Sequence, residues 1–247
     1  MKSLNQQLST SQLLFNHFYA GIAITAFYIW LSPMVIQAGY PGLTVLLLAE
    51  VIILTPLVGG HLMFLSWKAN RSFSMRGVIL FQKRIPWKKF VLWVLAGMLV
   101  SILIYAPLYP VGLWVKESYF GWLPEWYFNP TYGTDDTKLV AKVFLIGILI
   151  DGFIGPTIEE LFFRGYLLPR MTHFKKWAPI VNGVLFGLYH FWQPHNLIAV
   201  CAMGVILSWI VWKTKNVYLG IAIHCTLNAL GALSGYYAVI SGVMINR

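Results

Sequence analysis

Residues 139–170 read LVAKVFLIGILIDGFIGPTIEELFFRGYLLPR. As one α-helix this stretch would be about 48 Å long at about 1.5 Å per residue, against a bilayer hydrocarbon core of about 30 Å. Gly155-Pro156 is where so long a rod should change course, because proline has no N–H to give the helix and fits the first turn of a new one. The stretch therefore predicts a helix over 139–154, a kink, and a second helix carrying Thr157 onward. It also sets Asp151, Glu159, Glu160 and Arg164 well inside a run apolar enough to cross a membrane.

The same texture extends outward in both directions. Of 247 residues, 58% are hydrophobic and 11% charged, with a mean hydropathy of +0.68, whereas an ordinary soluble domain carries roughly 25% charged residues. A soluble fold of this size could not cover that much apolar surface. Apolar runs fall at 13–38, 43–67, 90–115, 139–170, 177–192, 196–212 and 217–240. The expected architecture is all-α: a polytopic transmembrane helix bundle of about seven spans with a kinked fourth span. Residues 1–247 read as a single integral membrane domain without repeats or linkers, with 139–240 as the half that carries the chemistry. The first run is too long for a signal-peptide core and reads as the first span.

The net charge of +10 sits in short segments between spans, so it speaks for topology and attraction to an anionic leaflet rather than for nucleic acid. Lys68, Arg71, Arg76, Lys83, Arg84, Lys88 and Lys89 form one acid-free cluster; Arg170, Lys175 and Lys176 form a second, and Lys213 and Lys215 a third. Seven spans with the N-terminus in the cytoplasm place all three on the cytoplasmic side. The acidic, aromatic-rich 116–138 loop and the Gln193-Pro194-His195 turn then face the other side. The small size and sparse loops point to a bacterial cell membrane. Cys201 and Cys225 lie inside apolar runs without metal-type spacing and read as small buried hydrophobes.

Ionisable groups inside a membrane cost roughly 2.5–3.5 kcal/mol or more and mark functional sites. Measured from the nearest cytoplasmic cluster, Glu159 lies about 16 Å deep, His190 about 21 Å and His224 about 14 Å. Three separate helices thus bring polar groups to similar depth, as one shared site requires. Glu160 and Arg164, four apart, share a helix face and can pair; Glu159 is turned about 100° away. Phe186 and His190, and His224 and Asn228, repeat the four-residue spacing. A carboxylate, two imidazoles and an amide suffice to activate a water and hold an oxyanion. Structural readings stand beside these. Glu160–Arg164 reads equally as a helix-locking ion pair, a lone membrane histidine as an interhelical hydrogen-bonding group, and Asn228 as a group that satisfies a kinked backbone. Gly183/Gly187 and Gly231/Gly235 read as close-packing faces. Glu50 reads as interfacial; Asp151 and His61 are candidates to line a cavity opening to the cytoplasm.

The runs EELFFR (159–164), FGLYH (186–190) and HCTLN (224–228) match EExxxR, FxxxH and HxxxN. Their order on three late apolar segments resembles the CAAX protease and bacteriocin-processing family of intramembrane glutamic endopeptidases. The resemblance covers about 153–232 and implies an endopeptidase acting on a peptide or membrane-associated substrate, prenylated CAAX-type substrates included. Glu159 and His190 would activate water, His224 and Asn228 would stabilise the oxyanion, and Glu160 and Arg164 would support them. Neither cofactor nor metal is implied, although Glu159, His190 and His224 could in principle compose a zinc site. The partners expected are the substrate and the bilayer, with no nucleic acid. The competing class is a non-catalytic membrane immunity or peptide-binding protein; a proton-coupled transporter lacks the inverted repeat it would need.

Overall fold

The computed structural model describes residues 7–243, and among these it contains seven principal helices and no strand. Helix α1 (Thr10–Gln37) starts at a capping box, in which Ser9 Oγ accepts from Gln12 N–H and Gln12 Oε1 from Ser9 N–H. Helices α2 (Leu43–Asn70) and α3 (Trp87–Tyr119) follow. Helix α4 (Thr137–Arg170) begins where Asp136 caps Lys138 and Leu139 N–H. Then come α5 (Ala178–Leu188), α6 (Leu197–Thr214) and α7 (Val217–Ile240), the last capped by Asn216. Six of the seven are long and apolar enough to cross a membrane. Large apolar side chains such as Phe15, Trp30, Leu92, Leu103 and Tyr237 face outward along them, where lipid rather than water is the solvent they fit.

The fifth span is shorter than its apolar run. Helix α5 has 11 residues, about 16 Å of rise, and is entered through a 3₁₀ segment (Thr172–Trp177) in which Lys175 adopts φ 51°, ψ −128°. It ends before Pro194, which cannot continue a helix and turns the chain into α6. Tyr189 and His190 consequently sit just past a helix end. Gly183 and Gly187 seat α5 against α6: a Cβ on Gly183 would strike the backbone of Gly204 and Val205, and one on Gly187 the backbone and sulfur of Cys201.

The fourth span crosses Gly155-Pro156 by changing its hydrogen-bond register. A π-helical segment (Ile150–Ile154) precedes the proline and a second one (Glu160–Leu167) follows the short α-helical turn Gly155–Glu159. Helix α2 has a π-helical stretch of its own, Glu50–Gly59, around Pro56. These widened stretches are where helix–helix packing brings polar side chains inward, as π-bulges commonly do at functional sites.

The two ends of the bundle sort by charge as the sequence predicts. At one end Lys83 N–H donates to Lys215 O (2.8 Å), Val217 N–H to Phe81 O (2.8 Å), Leu80 N–H to Gly165 O (3.1 Å) and Leu8 N–H to Arg170 O (3.2 Å). The Arg170 guanidinium reaches the carbonyls of Gly77 and Val78. All three basic clusters therefore meet there. At the other end Tyr28 donates to Trp126 O (3.1 Å) and Tyr127 to Phe191 O (3.1 Å), and Phe128 lies edge-on to His195 at 5.1 Å. The aromatic loop caps that end.

The glycine contacts give a direct test. Gly183→Leu should separate α5 from α6 and cost at least the roughly 1–3 kcal/mol of an overpacked core, whereas Gly231, whose Cβ would meet nothing within 4 Å, should accept alanine. Melting of the two variants in detergent micelles, followed by circular dichroism, should show a lowered midpoint or no folded protein for the first and an unchanged midpoint for the second.

Candidate active site

The pair Glu160–Arg164 is the core of the site. Arg164 Nη1 donates to Glu160 Oε1 at 2.9 Å, and both side chains are fully buried. The guanidinium also donates through Nε to Ser208 Oγ (3.3 Å) and through Nη2 to Gly204 O (3.3 Å), and its Cζ lies 3.9 Å from the centre of the Phe186 ring. Glu160 Oε1 accepts a second hydrogen bond, from His224 Nδ1 at 3.0 Å. A carboxylate only accepts, so His224 carries a proton on Nδ1 and turns Nε2 the other way.

That other side holds Glu159. Its Oε2 lies 4.0 Å from His224 Nε2, and its Oε1 accepts from the Tyr189 hydroxyl at 3.0 Å. Tyr189 is fully buried. The adjacent carboxylates thus have separate surroundings: Glu160 is bound to the guanidinium, while Glu159 is held by a phenol and an imidazole. His190 Nδ1 donates to Phe186 O at 2.8 Å, which leaves its Nε2 as the acceptor. The Phe186 ring contacts both imidazoles, with centroids 4.7 Å from His190 and 6.1 Å from His224.

Asn228 stands apart. Its Nδ2 donates to the Asp151 backbone carbonyl at 3.1 Å and lies 3.5 Å from Asp151 Oδ1. The helix register explains that bond. Gly155 N–H is spent on Ile150 O, so the next donor in the π-helical register, for Asp151 O, would be Pro156, which has none. A buried orphan carbonyl is costly, and Asn228 fills the gap. Glu50 is partly buried, with its Oε2 sealed from solvent and its carboxyl against Gly155, where a Cβ would collide with it. Asp151 and Glu50 thereby border the site, while His61 pairs with Tyr19, at 3.3 Å from its hydroxyl, and borders Phe162 and Tyr166.

Exposure within the site is uneven. Toward the basic end the site is covered by Val78, Ile79, Phe163, Leu167 and Val217, all buried. The groups that retain exposure are Glu50, Asp151, Thr157, His224 and Asn228. These five lie on α2, α4 and α7. Among the described residues no three His, Cys, Asp or Glu side chains are grouped so that they could hold a metal ion. Both cysteines are free thiols.

Sequence reasoning brought Glu159, Glu160, Arg164, His190, His224 and Asn228 forward. It missed Tyr189, hidden beside His190 as one aromatic among many, and the buried polar residues Asn182 and Ser208. A hydroxyl or amide inside an apolar span was the available signal.

Residues 141–230 match the family of type II CAAX prenyl endopeptidases, Rce1-like. The chain is 28% identical over 93 residues to the "UPF0177 protein YxdF" of Lactococcus lactis, covering 38% of this chain and 49% of that protein. It is 23% identical over 145 residues to the "Putative membrane peptidase YdiL" of Bacillus subtilis, covering 56% and 53%. The matches thus span about half the length of these relatives. No solved structure matches. The family match runs from α4 to α7 and contains all six candidate residues, in keeping with the resemblance read from the three motifs.

Removing one member of the buried pair should be worse than removing both. Glu160→Gln leaves Arg164 charged without a counter-ion, at a cost of about 3–5 kcal/mol. Glu160→Gln combined with Arg164→Met should recover much of that loss, measured as the yield and melting midpoint of monodisperse protein in detergent.

Proposed function

We propose that the chain is an intramembrane endopeptidase of the glutamic type. The observation that carries this reading is the Glu159 carboxylate, buried yet free of any ion pair with arginine, and gripped by Tyr189 at 3.0 Å with His224 Nε2 4.0 Å away. The match of 141–230 to prenyl endopeptidases supports it.

In this mechanism a water lies between Glu159 and the free Nε2 of His190. Glu159 takes one proton as the water oxygen attacks the scissile carbonyl carbon, and the carbonyl π electrons move to oxygen. With Nδ1–H committed to Glu160, His224 can offer an oxyanion only its Nε2–H, so the donor form is the imidazolium. Asn228 has one amide hydrogen on Asp151 O and a second for the same oxyanion. Collapse of the tetrahedral intermediate breaks the C–N bond, and the proton held by Glu159 passes to the leaving amine. Glu160 and Arg164 touch no substrate; they hold His224.

The substrate class is a peptide or membrane-associated protein, prenylated CAAX-type chains included. We place residues 139–240 as the catalytic half of one membrane domain, in a bacterial plasma membrane with the basic end in the cytoplasm, as the positive-inside rule orients it. No step calls on a metal or cofactor.

Purified protein in detergent should cleave members of a library of unprenylated and farnesylated fluorogenic peptides. Cleavage should survive a chelator and disappear in Glu159→Gln. Activity lost to the chelator would replace the glutamate mechanism with a metal one, and full biological activity in Glu159→Gln would favour peptide sequestration. Tyr189→Phe, which removes one hydrogen bond to a carboxylate, should lower kcat about tenfold, with KM little changed.

A further inference from the structure

Five fully buried polar side chains, each 0% exposed, run in one line through the bundle: His17 on α1, Asn182 on α5, Ser208 on α6, and Arg164 and Glu160 on α4. Hydrogen-bond chemistry gives the line a direction. His17 Nδ1 lies 2.7 Å from Leu13 O, and a carbonyl only accepts, so Nδ1 bears the proton. Asn182 Nδ2 lies 3.1 Å from Phe163 O, which fixes the amide nitrogen on that side. The same nitrogen is 3.2 Å from His17 Nε2, which must therefore accept. Asn182 Oδ1 then faces Ser208, whose hydroxyl donates to it at 2.9 Å. With its only hydrogen so used, Ser208 Oγ has lone pairs left and accepts from Arg164 Nε at 3.3 Å.

The line ends on a shared atom. Arg164 Nη1 donates to Glu160 Oε1, the same oxygen that takes the Nδ1–H of His224. The placement of that oxygen sets where His224 presents Nε2 to Glu159. An Asn182 amide turned over would put Oδ1 against the Nε2 lone pair of His17 and against Phe163 O, and NH₂ against Ser208. His17 is the group on α1 that penalises this flip, and it lies outside the 141–230 match.

We propose that His17 is a positioning residue for the Glu159–His224 centre, acting through Asn182, Ser208 and Arg164. Interhelical hydrogen bonds of this kind also hold membrane helices together. Positioning adds a requirement that simple adhesion lacks: the residue at 17 must accept a hydrogen bond from Asn182.

The test compares His17→Leu, which cannot accept, with His17→Gln, whose amide oxygen can. As a kinetic statement this rests on the peptidase reading above. In the full-length protein, His17→Leu should lower kcat about tenfold, the loss expected when a buried hydrogen bond is left unmade, with KM within about twofold. His17→Gln should keep kcat within about twofold of wild type. Ser208→Ala should resemble His17→Leu, and the double variant should be no worse than the poorer single, because both cut one line. Equal behaviour of leucine and glutamine at 17, or multiplicative losses in the double variant, would overturn the proposal. The second readout needs no turnover. Nitrogen-15 NMR of histidine-labelled protein in micelles, with the His224 signals assigned by their loss in His224→Gln, should show those signals shifted in His17→Leu and near wild type in His17→Gln. Unchanged His224 signals in His17→Leu would also overturn it. If wild-type protein cuts no peptide, the peptidase reading fails and the NMR comparison decides this one. Should His17→Leu not fold, His17→Ala against His17→Gln carries the same comparison, since alanine likewise offers no acceptor.

Discussion

Arg164 is the residue around which the rest is arranged. A guanidinium cannot shed its charge, and in the interior of a membrane bundle it has no water to lean on. Its neighbours answer that demand with a carboxylate on its own helix, a hydroxyl and a carbonyl from α6, and an aromatic face from α5. Because the partners come from three helices, meeting the needs of one cation fixes the relative placement of α4, α5 and α6. Glu160 has a second oxygen with no partner, so the arrangement is not fully compensated. The glycine at 220, where a Cβ would crowd that oxygen, shows how little room it is allowed. Buried ion pairs add little to stability as a rule, and their hold over geometry is the better reason for this one.

Proline is the second constraint, and it acts through backbone carbonyls. Pro156 withdraws an N–H from a helix that must cross lipid, and the register change before it leaves the Asp151 carbonyl without a donor. Asn228 supplies one from α7. An amide nitrogen has two hydrogens, so a bond to the Asp151 carbonyl is compatible with the oxyanion role proposed for Asn228. The broken register of α4 is thus part of what ties α7 to α4.

Much of this could be read from the sequence, for identifiable reasons. Span positions follow from apolar runs that lipid requires, and the meeting of three basic clusters at one end follows from charge alone. Glu160–Arg164 was legible because four residues along a helix is a fixed distance. What escaped depended on tertiary contacts. Glu50 lies only seven residues from the start of α2, so depth along its own helix read as interfacial; the approach of α4 at Gly155 encloses it. The fifth apolar run hides a helix of 11 residues, because aromatic side chains past Leu188 are as apolar in a turn as in a helix. Tyr189 was one ring among many until Glu159 was seen against its hydroxyl.

The segment that carries the motifs and the unit that shapes the site are not the same. Motifs mark the groups whose chemistry admits few substitutes, and these crowd into α4 through α7. Orientation has looser demands, since an amide, a hydroxyl or an imidazole can each supply an acceptor at a given point, so its residues leave no pattern that recurs at fixed spacing. His17 on α1, in the role proposed for it, belongs to that second class. It cannot be found by extending the motifs, because the information that places it is the direction of hydrogen bonds. A site in lipid makes such residues easier to identify than one in water would. Where no solvent can substitute for a missing partner, most buried polar atoms have one, and following those bonds outward from Arg164 leads back to the first helix.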